Sequence, residues 1–309
     1  MTRSTRSRID SLNPGPSSDC YLPTARNRRL VCPLKVRQMP VSERPSRGIH
    51  TAFAADGDPV SLPGGRGLAW RVGGLVFKPA DLATDELAWQ ADVLSTVDAS
   101  DFRLSFPQRT AGGELVVDGW TAWSYLAGEH REGRWLDVIA VGDRFHAAVA
   151  ELARPAFLDA RTDPWAIGDR VAWGEASIEP YRAVPHVARL ADRLVPVGAR
   201  SQLVHGDLTG NVLFAKGLPP AVIDLSMYWR PPAFATAIVV ADALVWEGAD
   251  DSLVDAVAGI EDFGQMLARA IVYRMVAAVE GGFEDDDAAV ERCYAGATEL
   301  ALELVTQST

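Results

Sequence analysis

The spacing of the apolar residues changes about one third of the way along the chain. Between about residues 48 and 107, short alternating runs are broken by glycines, a pattern typical of strands and turns. From about residue 136 onward, apolar residues recur at positions i, i+3 and i+4, the spacing that gives a helix one buried face. The pattern predicts a first part built on a small sheet and a second part that is mainly helical.

Local signals place the elements of the first part. The runs GLAWRV and GLVFK meet at Gly73 and Gly74, and we predict a hairpin there because its turn requires positive φ angles. A helix is predicted over residues 84–97, with Thr84 as its N-cap. Two further strands are predicted, at residues 114–118 and 120–125. Together these elements predict a small antiparallel sheet with one helix.

The second part contains three predicted amphipathic helices and one β-rich segment. The helices cover residues 136–152, 181–195 and 260–279. The β-rich segment, residues 203–225, consists of short apolar runs separated by polar residues and by Gly and Pro. Because each helix presents one apolar face, we expect all three to pack around a common core.

Composition and charge limit the class of protein. The chain has 309 residues, of which 48% are hydrophobic, and this is enough to bury a substantial core. The net charge is −11, but the first fifty residues sum to +7 and the other 259 to −18. Such an acidic body argues against nucleic acid as a partner, because non-specific binding requires clustered cations. Residues 1–47 form a basic leader that we predict to be disordered, with Met39 as an alternative start.

The longest apolar run of the chain, residues 233–246, is too short to cross a bilayer. It has about fourteen residues and contains Asp242, whereas a transmembrane helix needs ~20 apolar residues. The sequence therefore predicts no membrane partner. Only three cysteines occur, which favours a reducing compartment, and we expect a cytoplasmic protein. Nothing in the sequence predicts an oligomeric state.

The β-rich segment holds the densest group of chemically useful polar residues. His205, Asp207, Asn211 and Asp224 lie within twenty residues of one another, on loops that follow short strands. Phosphoryl transfer from ATP requires a carboxylate that orients the attacking hydroxyl, and oxygen ligands that hold Mg²⁺. The Asp and Asn side chains supply such oxygens. The alternative is that they only cap backbone groups of the loops.

The run HGDLTGNVLF followed by AVIDL resembles the catalytic loop and metal-binding strand end of the aminoglycoside phosphotransferase and choline-kinase-like family. The resemblance implies Asp207 as catalytic base, with His205 bracing the catalytic loop. It implies Asn211 and Asp224 as ligands of Mg²⁺. It extends more weakly over about residues 50–250. One departure concerns the loop, because Asp207 and Asn211 are four residues apart where the family usually has five.

The resemblance also implies an ATP-phosphate lysine and a glutamate that pairs with it. The run LVFK ends in Lys78, one of three lysines in the chain, and is similar to the family's lysine-bearing strand. An edge-strand lysine with no such role is the alternative. For the paired acid we select Glu86, although the family-like spacing falls on Gln90, one helical turn later.

Two further segments resemble the parts of the family that hold the nucleotide. Gly64, Gly65 and Gly67 lie just before the Lys78 strand and resemble a phosphate-covering loop, in which missing side chains let backbone N–H groups approach oxygens. A flexible turn is the alternative. The run WSYLAG resembles the hinge between lobes, which implies that Ser124 and Leu126 lie against adenine.

The sequence thus predicts an α+β, bilobal, protein-kinase-like fold. An N-lobe over residues 48–126 and a mainly helical C-lobe over residues 127–309 would enclose ATP and Mg²⁺. The implied function is transfer of a phosphate from ATP to a hydroxyl group of a small-molecule acceptor. A nucleotide-binding pseudokinase with a regulatory or scaffold role is the main alternative, and AMP transfer to a protein is a third. No motif identifies the acceptor.

Overall fold

The computed structural model describes residues 44–63, 68–282 and 287–307. In chain order, the first part contains α1 (Arg47–Ala52), β1 (Val60–Ser61), β2 (Trp70–Val72), β3 (Leu75–Pro79), α2 (Thr84–Val93), β4 (Arg103–Leu104) and β5 (Trp120–Ser124). Most of the predicted leader lies outside the described residues. Its last residue already belongs to the fold, because Arg47 begins α1 and the N-cap side chain of Ser46 accepts a hydrogen bond from the Ile49 N–H.

A four-stranded antiparallel sheet, in the order β1-β2-β3-β5, forms the N-terminal lobe. The predicted hairpin is confirmed, since β2 and β3 pair across a turn in which Gly73 has a φ of 56°. The predicted strand at 114–118 is wrong. Val117 makes only a single bridge to Trp120, because Asp118 and Gly119 both adopt positive φ and turn the chain at once.

The predicted helix of the N-terminal lobe is confirmed in type and corrected at both ends. Helix α2 ends at Val93, and the next three residues form a 3₁₀ turn rather than a continuation. The N-cap is Ala83, not Thr84, and its methyl side chain makes no capping hydrogen bond. Thr84 is instead the first residue of the helix.

The second part is mainly helical, with two short strand pairs. In chain order it contains α3 (Trp135–Val149), α4 (Phe157–Ala160), α5 (Pro164–Ala172), α6 (Pro185–Ala191), β6 (Gln202–His205), β7 (Val212–Leu213), β8 (Ala221–Val222), β9 (Met227–Arg230), α7 (Pro232–Trp246), α8 (Asp251–Val257), α9 (Phe263–Gly281) and α10 (Asp287–Gln307). The helices predicted at 136–152 and 260–279 are confirmed as α3 and α9. The one predicted at 181–195 is shorter, because α6 begins only at Pro185, a residue suited to a first turn.

Helices α7 and α9 form the centre of the C-terminal core. Both are buried on almost every side, and α9 packs against α5, α6, α7 and α10. The long apolar run that contains Asp242 is therefore a core helix. Among the described residues, no helix is both long and apolar enough to cross a membrane.

The two lobes share a strand pairing. Strand β4, which lies within the predicted N-lobe range, pairs in parallel with β8 in a sheet of order β4-β8-β7. The Arg103 guanidinium adds two bonds, to the carbonyl oxygens of Pro219 and Ala127, at 2.9 and 2.8 Å. The N-terminal lobe is thus hydrogen-bonded to the part of the chain that carries the candidate site.

The close crossing of α5 and α9 gives a test of the core. A Cβ atom at Gly168 would lie 2.6 Å from the backbone oxygen of Tyr273. We expect Gly168→Ala to lower the free energy of unfolding by about 1–3 kcal/mol. The reason is that the backbone of Tyr273 cannot move aside as the end of a flexible side chain can. Urea denaturation measures this value.

Gly296→Ala is the matched control for that substitution. Gly296 also lies in a helix, but nothing lies within 4 Å of its added Cβ. Alanine there should raise stability by roughly 0.5–1 kcal/mol, since it removes the helix cost of glycine. Equal effects of the two substitutions would contradict the packing described for Gly168.

Candidate active site

The loop between β6 and β7 brings Asp207 and Asn211 together. The Asn211 side-chain amide donates to the Asp207 backbone oxygen at 2.7 Å and to the Asp207 Oδ2 at 3.1 Å. Gly210, with a φ of 80°, lets the loop turn within this short length. The four-residue spacing therefore closes the loop, and the amide nitrogen of Asn211 faces Asp207 while its oxygen remains for another ligand.

His205 connects the loop to the neighbouring strand end. It is fully buried; its Nδ1 accepts from the Asp207 N–H at 3.1 Å, and its Nε2 lies 3.2 Å from the Ile223 carbonyl oxygen. These partners require a proton on Nε2 and none on Nδ1. Burial lowers the pKa of His205, which favours this neutral form. The side chain therefore connects the start of the loop to the strand end at Ile223.

A second buried histidine supports His205 from helix α3. His146 Nε2 accepts from the His205 backbone N–H at 3.2 Å. Burial lowers the pKa of His146 to about 3, so this ring is also neutral at pH 7. The ring of His146 therefore has a hydrogen-bond partner in the candidate site.

Asp224 lies beside Asn211 because of the strand pairing. Strand β7 begins directly after Asn211, and its antiparallel partner β8 ends two residues before Asp224. The Ile223 N–H also donates to the Asn211 backbone oxygen at 3.0 Å. Asp224 has a φ of 53°, a left-handed backbone conformation that is uncommon outside glycine and frequent at functional positions.

Lys78 reaches Asp224 from the N-terminal sheet. Its Nζ lies 2.8 Å from Asp224 Oδ1, and this pair joins β3 to the end of β8 across the cleft between the lobes. The side chains are 25% and 61% exposed, so both atoms remain accessible to a ligand. The predicted lysine, carboxylates and amide are therefore assembled in one place.

The predicted pairing of Lys78 with Glu86 is not present. Among the described residues, the ion pair of Lys78 is with Asp224, and the buried Glu86 Oε1 lies 3.5 Å from Gln90 Nε2. Burial raises the pKa of Glu86, while the nearby Arg161 opposes the shift. The same Gln90 amide donates to the Leu225 backbone oxygen at 3.4 Å, next to Asp224. Gln90, at the family-like position, thus contacts the site more directly than Glu86.

The segments expected to hold the nucleotide are described only in part. Gly64, Gly65 and Gly67 lie outside the described residues. At the hinge, the Ser124 N–H donates to the Phe106 oxygen, and the Ser124 oxygen accepts from Ser105 Oγ. Both backbone groups of Ser124 are therefore engaged within the protein. In the same part of the structure, the backbone of half-buried Leu126 has no such partners, so its N–H and C=O groups differ from those of Ser124 in being available to a ligand.

Sequence reasoning missed two charged residues that border Asp207. Arg274 Nη2 lies 2.7 Å from Asp207 Oδ1, and Arg274 also makes two hydrogen bonds to Asp242, at 2.8 and 2.6 Å. Burial raises the pKa of Asp242 to about 6, and the Arg274 charge opposes that shift. The available signal was Asp242, the one charged residue of apolar α7, together with Arg274, one of two arginines in the buried part of α9. Buried charges are nearly always paired.

The donor set fits Mg²⁺ that is also bound by phosphates. Asp224 supplies a carboxylate, and Asn211 supplies an amide oxygen beside it, both hard oxygen ligands. Over the described ranges, no group of three or more His, Cys, Asp and Glu residues could hold a metal. Mg²⁺ commonly takes one or two protein ligands and completes its shell with water and substrate phosphates. The residues present therefore fit a substrate-linked ion rather than a metal held by protein alone.

Solved structures of aminoglycoside phosphotransferases are similar to this chain over most of its length. A thermostable mutant of APH(4)-Ia in its apo form has a TM-score of 0.55 at 17% identity, covering 82% of this chain and 98% of that one. Spectinomycin phosphotransferase APH(9)-Ia, in complex with ADP and spectinomycin, has a TM-score of 0.51 at 13% identity, covering 84% and 96%. An aminoglycoside phosphotransferase from Alicyclobacillus acidocaldarius subsp. acidocaldarius has a TM-score of 0.53 at 13% identity, covering 86% and 96%.

These similarities define the class of fold. The chain has the α+β, kinase-like fold of aminoglycoside phosphotransferases, with an N-terminal antiparallel sheet and a mainly helical C-terminal region. The predicted fold class is confirmed. No family profile matches the chain, and no curated protein matches it by sequence.

The buried histidines give a test through pH. In the unfolded chain, the pKa of both histidines is about 6.5. In the folded protein, burial lowers the pKa of each, and that of His146 lies at about 3. The unfolded state therefore holds more protons below pH 6.5, and stability falls as pH decreases through this range. We expect His146→Gln, whose amide oxygen can still accept the His205 N–H, to reduce the slope between pH 6 and 4 by about 1 kcal/mol per pH unit. Parallel stability curves for the two proteins in urea would contradict the burial of a neutral His146.

Proposed function

We propose that the protein is an ATP-dependent phosphotransferase that acts on a hydroxyl group of a small-molecule acceptor. The observation that carries this proposal is the Lys78–Asp224 pair across the cleft, with Asn211 and Asp207 beside it. Phosphoryl transfer requires one cation for the phosphates, two oxygen ligands for Mg²⁺ and one exposed carboxylate, and these residues offer all of them. The fold similarity to aminoglycoside phosphotransferases supports it.

Lys78 and Asp224 would exchange partners when Mg-ATP binds. The Lys78 ammonium would move to phosphate oxygens, as a point charge on a flexible stem can do. Asp224 and Asn211 would hold Mg²⁺, which supplies neutralisation of charge on the phosphates. Because the ion pair is partly exposed, little free energy opposes its opening.

Asp207 would orient the acceptor hydroxyl toward the γ-phosphate. The new bond forms between the acceptor oxygen and the γ-phosphorus, and the bond from that phosphorus to the β–γ bridging oxygen breaks, which releases ADP. The hydroxyl proton passes to the Asp207 carboxylate. Its side chain is 40% exposed, so an acceptor can reach it from the cleft.

The similar proteins indicate which acceptor class to test first. Two of the similar proteins have structures with hygromycin B or spectinomycin and ADP, both complexes of a nucleotide and a small antibiotic. A polyhydroxylated small molecule is therefore the first class to screen.

A nucleotide-binding protein without turnover is the second candidate. The observation that favours it is the position of Glu86, which is buried beside Gln90 rather than paired with Lys78. A lysine without that acidic partner can still contact phosphates. Both candidates would bind ATP, and only the phosphotransferase would convert it to ADP.

Nucleotide binding can be measured by thermal unfolding with ATP, in the presence and absence of Mg²⁺. A ligand at about 100 times its Kd should stabilise the native state by ~2.7 kcal/mol. We expect the Mg²⁺-dependent part of the shift to be lost in Asp224→Asn. The matched control is Asp192→Asn, which removes an exposed carboxylate paired with Arg182 at 2.9 Å, at the C-terminal end of α6. The proposal fails if wild-type protein shows no shift with Mg-ATP.

Turnover is tested with Asp207→Asn. ADP formation from Mg-ATP, first with water and then with polyhydroxylated acceptors, should fall by about 10²–10⁴-fold, since a positioned acid–base group contributes that much. The Mg-ATP thermal shift should persist in this variant, because Asp207 is not assigned to the nucleotide. Equal ADP formation by wild type and Asp207→Asn would remove Asp207 from the reaction, and binding without any turnover would favour the second candidate.

A further inference from the structure

Arg274 contacts two carboxylates that come from separate parts of the fold. It lies on α9, deep in the C-terminal core, and its side chain is 8% exposed. Its Nε and Nη2 atoms donate to the two oxygens of Asp242 on α7, at 2.8 and 2.6 Å. The same Nη2 donates to Asp207 Oδ1 at 2.7 Å. The guanidinium therefore links a buried carboxylate to the exposed one at the candidate site.

Asp242 fixes the orientation of the Arg274 guanidinium from the core side. Its side chain is 1% exposed, so its charge requires a partner inside the core. The two parallel hydrogen bonds set the plane of the guanidinium, because the donors of arginine are held in a rigid fork. The second hydrogen of Nη2 is then directed toward the Asp207 loop, where its position is set by two helices rather than by the loop.

The Asp207 carboxylate is consequently held at both oxygens. Arg274 contacts Oδ1, and the Asn211 amide contacts Oδ2 at 3.1 Å. The torsion angle that rotates an aspartate carboxylate is intrinsically broad, so a single contact would leave its plane free to turn. Contacts on both sides fix that plane while the side chain remains 40% exposed to the cleft.

We propose that Arg274, anchored by Asp242, is a positioning residue for phosphoryl transfer that fixes the orientation of the Asp207 carboxylate toward the acceptor hydroxyl. This inference rests on the proposed function. Arg274 does not touch the nucleotide or the acceptor in this scheme, and it acts through Asp207. Lysine cannot replace it, since one ammonium nitrogen cannot bond both oxygens of Asp242 in a fork and also reach Asp207.

A double-mutant cycle tests this role. Wild type, Asp207→Asn, Arg274→Lys and the double variant are compared by ADP formation from Mg-ATP, with water or the best acceptor found. Arg274→Lys should lower kcat by about 10²-fold, the size of effect that misplacing a reacting group produces, with the KM for ATP changed less than about twofold. In the Asp207→Asn background the same change should have no further effect, because residues that act through each other are not additive.

Arg269→Lys is the matched control. Arg269 is a second buried arginine on α9, but it bonds Gln265 and the Val195 backbone oxygen, away from Asp207. Its kcat should stay within about twofold of wild type. All variants are first checked for folding by circular dichroism and for the Mg-ATP thermal shift, so that loss of the core is distinguished from loss of position.

Three results overturn the inference. The first is a folded Arg274→Lys protein with wild-type kcat. The second is an equal fold-loss from Arg274→Lys in the wild-type and Asp207→Asn backgrounds, which indicates a general structural effect. The third is the same loss from Arg269→Lys. Absence of turnover in the wild type has a different meaning, since it overturns the proposed function and this inference with it.

Discussion

The C-terminal lobe must satisfy every charge that it buries, with an opposite charge or with hydrogen bonds. Its core is formed by α7 and α9, which are apolar on almost every side, and water is excluded from both. A charged group in such a place costs several kcal/mol unless an opposite charge or well-placed hydrogen bonds compensate it. The pairs Arg274–Asp242 and Arg230–Asp169 satisfy this condition. Because the first pair extends to Asp207, the packing of the core also determines the geometry of the loop.

The same cost of burying a charge explains why the two buried histidines are neutral. His146 and His205 are buried, neither forms an ion pair with a described residue, and burial lowers the pKa of both. Each neutral ring can accept one hydrogen bond and donate one, and the acceptor nitrogens take the N–H groups of His205 and Asp207. A charged histidine would lose these acceptors. The loop is therefore held by the two neutral histidine rings and by the charged guanidinium of Arg274 on α9.

The sequence predicted an α+β fold because strand and helix signals are local, and it selected the candidate-site residues because their motifs resemble a known family. Strand alternation, the Gly73 turn and helical spacing are properties of neighbouring residues. The group Asp207, Asn211 and Asp224 lies within one segment, so strand pairing alone brings it together. Arg274 could not be assigned in this way. It is 67 residues from Asp207, and its contact depends on how α9 crosses α7, which no local pattern specifies.

Glu86 illustrates a different limit of sequence reasoning. Both Glu86 and Gln90 lie on α2, one turn apart, and both are buried. The negative charge of Glu86 favoured it as the partner of Lys78. In the structure, however, Gln90 lies closer to the candidate site, because its amide reaches the Leu225 oxygen beside Asp224. A neutral amide in this position contacts the strand end without competing for Lys78. Helix α2 is therefore coupled through a hydrogen bond to the strand end that carries Asp224, and this bond leaves the Lys78–Asp224 pair intact.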